Sequence, residues 1–324
     1  MKYLRVILLL LFLCSLWSGA YSQNPPQKGS GQQKVVRINP AKIDTNDPNK
    51  KALNKYSKEK MFNATPASRP LKPEEVRAQG FFNDGSAKGK TGDYEGAIVD
   101  FTKSLDLSKN ANTYAKRGYA YMMVGNYGAS ITDETEALRI QKSYVKAYFI
   151  RGLCRYETGD YKGSKQDLEI FVGKDRTNAI AFNYMAALAF MNQDYNGALE
   201  NYNQVVKLDP KYPDIYTNRG MMRHYNQDFN GAIQDYDEAL KLDPTNPTAY
   251  NNRGAAKLML KDFQGALADF SKAIGLNASY ADAYDNRGRV KQALGDHDGA
   301  CADWEQAYAF GLAASKELIL KFCK

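Results

Sequence analysis

From about residue 78 to residue 311, apolar and polar positions follow a helical period, and the whole pattern returns every 33 or 34 residues. In Phe229–Leu242 the apolar residues Phe229, Ala232, Ile233, Tyr236, Ala239 and Leu240 recur at three and four, which predicts an amphipathic helix. In 214–226 the residues Ile215, Met222 and Tyr225 keep to one face around Gly220, which predicts a second helix just before it. Asn226-Gln227-Asp228 separates the two, and Leu-Asp-Pro at 242–244 closes the unit, because proline cannot continue a helix.

The landmarks of that unit recur in phase. Gly85, Gly118, Gly152, Ala186, Gly220, Gly254 and Gly288 each follow an aromatic by four residues and precede a small residue by twelve. A second aromatic column runs through Tyr94, Tyr127, Tyr161, Tyr195, Phe229 and Phe263. A period of this length means stacked two-helix units, none able to bury its apolar face alone. At these residues the sequence resembles the tetratricopeptide repeat family, whose signature has the same aromatic, glycine, alanine and proline landmarks. The resemblance implies an all-α fold, a right-handed α-solenoid of seven helix-turn-helix repeats over 73–311. Residues 312–324 then form a capping segment, with a helix over Lys316–Phe322. It also implies a non-enzymatic protein-interaction scaffold. The first repeat is atypical, with Lys88 and Lys90 at apolar places, as a terminal repeat facing water allows.

Two columns carry polar chemistry. Before each small landmark stand Arg117, Arg151, Met185, Arg219, Arg253 and Arg287; sixteen residues on stand Asp133, Asp167, Asn201, Asp235, Asp269 and Asp303. Arginine and acid are lost together at Met185 and Asn201, which predicts five structural Arg–Asp ion pairs between antiparallel helices. The first repeat departs from this, with Asp84 opposite Asp100. One residue earlier, on the first helices, come Asn218, Asn252 and Asn286, with Lys116 and Tyr184 in the same column. These five are the candidate peptide-binding residues. An amide both donates and accepts, so an asparagine ladder can pair with the backbone of an extended peptide. The column is similar to the asparagine ladder in the repeat domain of the O-linked N-acetylglucosamine transferase, although Lys116, Ile150 and Tyr184 interrupt it. The clamp that chaperone-binding members use for a terminal carboxylate is missing, since its places hold pairs such as Phe82/Ser86 and Ala115/Tyr119.

Ahead of the repeats, Lys2 and Arg5 precede an apolar run from Val6 to Trp17 and then small residues, a secretory signal peptide over 1–22. The apolar run is short for a membrane span, and no second candidate follows. Export to a periplasm or the extracellular space is therefore expected. Residues 23–72 are rich in Gln, Asn, Lys, Pro and Ser without a period, and read as a basic, disordered arm. Over 23–77, 12 Lys/Arg against 5 Asp/Glu leave +7; with +2 in the signal, only −1 of the total +8 remains for 78–324. The basicity belongs to the arm, so an alternative function is binding of an anionic lipid or glycan surface through it.

Reactive chemistry is sparse. The histidines are His224 and His297, and His297 occupies the place of the second aromatic, where a packing role is expected. Cysteines at 14, 154, 301 and 323 show no metal-binding spacing. Cys154 is expected as a buried thiol, and Cys301 with Cys323 as neighbours that an oxidising compartment can join. No catalytic residue, metal or cofactor is assigned. The expected partner is a protein or extended peptide, not nucleic acid.

Overall fold

A computed structural model describes residues 71–212 and 214–323. The signal segment 1–22 and the arm up to residue 70 lie outside the described residues, as do Pro213 and Lys324. Every regular element among the described residues is a helix. They fall into two units that divide in sequence between Ile215 and Tyr216.

The first unit contains α1 (Pro73–Thr91), α2 (Tyr94–Leu107), α3 (Ala111–Met123), α4 (Tyr127–Ile140), α5 (Val145–Glu157), α6 (Tyr161–Lys174), α7 (Ala179–Met191) and α8 (Tyr195–Leu208). The second is built from α9 (Ile215–Tyr225), α10 (Phe229–Leu242), α11 (Pro247–Met259), α12 (Phe263–Leu276), α13 (Ala281–Leu294), α14 (His297–Ala309) and α15 (Ser315–Phe322). Both are α-solenoids of stacked helical hairpins, four in the first and three in the second, where α15 follows the last hairpin. Within the units α1 touches α3, α3 touches α5 and α11 touches α13, whereas successive second helices meet more weakly. Over α1, α3 and α5, and over α11 and α13, the first helices thus form the tighter, inner side of the stack.

Each hairpin turns by the same local device. The residue before the second helix's N-cap has a positive φ: Gly92, Gly125, Gly159 and Gly295 in four repeats, Gln193, Gln227 and Lys261 in three. The cap that follows is Asp93, Asn126, Asp160, Asp194, Asp228, Asp262 or Asp296, and its side chain accepts from the backbone N–H three residues later. That bond satisfies one of the helix's orphan donors.

Packing inside each hairpin explains the glycine landmarks. The residue sixteen positions later lies against them: Tyr236 against Gly220, Phe270 against Gly254, Trp304 against Gly288. A Cβ on Gly220 would stand 2.8 Å from Tyr236 Cε1, and one on Gly254 2.9 Å from Phe270 Cε1. The hairpin closes to this distance only without that carbon. The small column, from Ala97 to Ala300, is fully buried. Tyr236 fills the interior of its repeat, whereas Tyr216 is only partly buried, packed with Tyr250 against Ala239, Leu240 and Ala249.

Two histidines differ in environment. His224 packs edge-on to Phe229, with ring centroids 5.1 Å apart. His297 is exposed and pairs through Nδ1 with Gln292 Oε1 at 2.9 Å, so the packing role expected for it is not what it performs. At the end of the second unit, Cys301 and Cys323 form a disulfide, and Phe322 lies 5.6 Å from Trp304. Ser315 Oγ donates to Asp285 Oδ1 at 2.8 Å, which ties α15 to α13.

Candidate functional site

The arginine column is a set of three-way anchors. Arg117, Arg151, Arg219, Arg253 and Arg287 each donate from Nε and Nη2 to both oxygens of Asp133, Asp167, Asp235, Asp269 and Asp303. The planar fork matches the planar carboxylate, so each pair is bidentate. Every guanidinium also lies over the tyrosine three residues earlier, at 5.4–5.8 Å from Tyr114, Tyr148, Tyr216, Tyr250 or Tyr284. The third nitrogen, Nη1, reaches the second helix of the preceding repeat, at Thr102 from Arg117, Thr135 from Arg151, Asp237 from Arg253 and Ser271 from Arg287. One side chain therefore joins three helices. The aspartates are buried and the arginines mostly so, which assigns the column to holding the stack together.

A second cation, one turn further along the first helix, was not identified from the sequence. Arg155, Arg223, Lys257 and Lys291 approach Oδ2 of Asp167, Asp235, Asp269 and Asp303, the oxygen that already accepts from Nε, at 2.8–3.1 Å. In the first repeat Lys88 fills that same place and takes Asp100 at 2.6 Å, although Asp84 stands where the arginine would be. In the fourth, Asn201 turns back to Gly197 O at 2.7 Å.

The five candidate peptide-binding residues separate into different environments. Tyr184 on α7 is 4% exposed, its ring edge-on to Tyr156 and its hydroxyl donating to Glu157 Oε1 at 3.3 Å. Asn218 on α9 is 8% exposed. Both are therefore enclosed by packing and offer little surface to a peptide. Lys116 on α3 is half-buried, and burial, followed by repulsion from Lys146 and Lys90, lowers its pKa to about 8.

Asn252 and Asn286 are linked by a residue outside the column. Asn286 Nδ2 donates to Asn251 Oδ1 at 3.1 Å, and Asn251 Nδ2 donates to Asn252 Oδ1 at 3.3 Å. Asn251 is buried, held between α11 and α13 with the Tyr280 hydroxyl beside it. The relay has a direction. At one end Asn252 Nδ2 has no partner among the described residues, and at the other Asn286 Oδ1 has none; neither atom is buried. One unused donor and one unused acceptor on the inner helices are the complement of a peptide unit. Asn251 escaped the sequence reading because its role depends on Asn286, 35 residues away.

Among the described residues no three His, Cys, Asp or Glu side chains gather as a metal would require, and no helix is long and apolar enough to cross a membrane.

A family model described as "TPR repeat" matches residues 188–224 and 220–261. Human serine/threonine-protein phosphatase 5 is 33% identical over 84 residues, which is 26% of this chain and 17% of the phosphatase. Human DnaJ homolog subfamily C member 7 is 28% identical over 105 residues, 32% of this chain and 21% of that protein. The chain thus aligns with about a fifth or less of either relative's length. Among solved structures, the C-terminal part of a TPR repeat-containing protein from Cytophaga hutchinsonii superposes with a TM-score of 0.57 at 18% identity, covering 72% of this chain and 96% of that one. YrrB, described as a TPR protein with an unusual peptide-binding site, gives 0.54 at 20% identity, covering 56% and 95%. At these identities the superpositions speak to fold.

Proposed function

We propose that this chain, a tetratricopeptide-repeat protein, is an exported, non-enzymatic scaffold that holds an extended peptide against the inner helices of its second unit. The observation that carries the reading is the Asn286–Asn251–Asn252 relay, with its free acceptor and free donor on α13 and α11. A peptide laid across these helices satisfies both atoms through its own N–H and C=O, whatever its side chains. YrrB, with its peptide-binding site, supports the same use of the fold by analogy. Export rests on the signal-like residues 1–22, and the Cys301–Cys323 disulfide is of the kind that oxidising compartments maintain.

The test is selection from a displayed library of random twelve-residue peptides, on the full chain and on the Asn251→Ala/Asn252→Ala/Asn286→Ala variant. Two backbone bonds at about 0.5–1.5 kcal/mol each predict selected peptides that bind the variant roughly 5- to 150-fold more weakly. Equal binding by a variant of unchanged helicity would remove this site.

The concentration of +7 in residues 23–77 favours a second reading, capture of an anionic surface by the arm. Deleting residues 23–72 separates the two. Peptide binding on the inner helices persists without the arm, whereas binding to anionic vesicles is lost and is steeply weakened by salt in the full chain.

A further inference from the structure

Glu134 on α4 occupies a place that the other repeats give to Phe101, Leu168, Tyr202, Tyr236, Phe270 and Trp304. It is fully buried, and neither carboxyl oxygen has a hydrogen-bond partner. Its Oε1 lies against Gly118 of α3, 2.6 Å from where a Cβ on that glycine would stand. Arg117, the residue before Gly118, is engaged with Asp133. Arg151 and Cys154 of α5, and Tyr144 from the turn between α4 and α5, interact with Glu134 electrostatically. Arg151 is itself bidentate to Asp167. A carboxylate here would be an uncompensated charge in an apolar seam, which proteins avoid by keeping the group neutral.

We infer that Glu134 is a proton-dependent latch, closed while its side chain is neutral and packed, and loosening α4 from α5 as rising pH ionises it. Burial first, then Asp133, pushes its ionisation well above the usual carboxylate range, and Arg151 offsets this only in part. The sign follows from linkage. The folded chain keeps a proton that the unfolded chain gives up above about pH 4.3, so stability present below that pH declines as pH rises through the folded-state ionisation. Each pH unit in that window multiplies the opening equilibrium by up to about ten. Lys116 titrates near pH 8 with the opposite sign, since burial depresses it, and it is unchanged in the variants below.

Cys154 supplies the readout. Its Sγ donates to Ser130 Oγ of α4 at 3.2 Å, and it is the free cysteine among the described residues. Separation of α4 from α5 exposes it. The full chain, unreduced, is labelled with iodoacetamide between pH 6 and 9, and the Cys154 peptide is quantified by mass spectrometry. Glu134→Gln removes the charge alone, while Glu134→Leu substitutes the side chain that Leu168 provides in the next repeat. An ionised Glu134 raises the Cys154 thiol and so lowers wild-type labelling, which means that a ratio of wild-type to variant labelling that climbs with pH isolates the latch. That ratio is expected to climb with pH, by up to about tenfold per unit, against either variant. A ratio that stays flat overturns the proposal. So does a Glu134→Gln protein that keeps the wild-type pH dependence, because packing rather than protonation would then set the opening. If the leucine variant does not fold, the glutamine comparison decides.

Discussion

Lys88 reaches Asp100 from one helical turn beyond the position that an arginine holds in the later repeats, with Nζ 2.6 Å from Oδ2. The first repeat thus retains the carboxylate and changes the direction from which it is neutralised. That carboxyl is correspondingly held below the usual range, chiefly by the Lys88 contact. Where both cations are present, as at Asp269, the acid is the shared partner and each base is replaceable.

This asymmetry predicts unequal costs. Asp269→Ala strands Lys257 and leaves Arg253 with Asp237 alone, whereas Arg253→Ala leaves Asp269 with Lys257 at 2.8 Å. The aspartate variant should lose about 2–4 kcal/mol and the arginine variant about 1–2 kcal/mol, with a coupling near 1 kcal/mol in the double mutant. Urea unfolding of the three variants measures it; strict additivity would contradict the contact.

Depth ranks the aromatics. Tyr236 is 1% exposed against Gly220, while Tyr216 is only partly buried. Tyr236→Ala should cost about 3–5 kcal/mol and Tyr216→Ala clearly less. Thermal unfolding of the pair gives the order.

The hairpin turn offers a gain as well as a loss. Gly159 has φ 86° and Lys261 φ 63° at the same place in their repeats. Gly159→Ala should destabilise by about 1–2 kcal/mol, and Lys261→Gly should stabilise by up to about 1 kcal/mol after its cost in chain entropy. Opposite shifts in melting temperature are expected.

Acid should weaken the second unit through His224. Burial lowers its pKa to about 4. The unfolded chain therefore binds the proton first, and stability present above pH 6.5 is lost as pH falls towards 4. The difference between pH 7 and pH 5 is about 2 kcal/mol, and His224→Phe should abolish it. Denaturant midpoints at the two pH values check this.

Reducing Cys301–Cys323, which are 22 residues apart in sequence, removes a constraint of about 3 kcal/mol on the unfolded chain. The first effect should be local. Hydrogen exchange over 315–322 should accelerate, and Trp304 emission should shift to the red as Phe322 leaves it. No change over these residues would mean that packing alone holds α15.

Much of this architecture is written in the spacing of small and large side chains. Gly220 and Tyr236 meet because the hairpin closes only where a Cβ is missing, and that steric need recurs visibly every 34 residues. The Arg253–Asp269 distance in sequence is just as regular. What escaped was either irregular or relational. Gln193, Gln227 and Lys261 disguise a turn column that Gly92, Gly125, Gly159 and Gly295 mark. Lys88 was read as a lost apolar residue because its partner is engaged a turn out of register. Asn251 looks like an ordinary helical amide until Asn286 is set beside it, and Asn218 shares a column with Asn252 without sharing its exposure.

The tie between α15 and the last hairpin, through the disulfide, Phe322 and Ser315, gives the second unit a finished end. For anyone wishing to lengthen this molecule, growth must happen by insertion. A copy of residues 247–280 spliced ahead of Ala281 carries its own Arg253–Asp269 pair, and Arg287 would find at the copied Ser271 the acceptor it already uses. The same copy appended after Gly311 would have to displace α15, and would meet a surface already occupied.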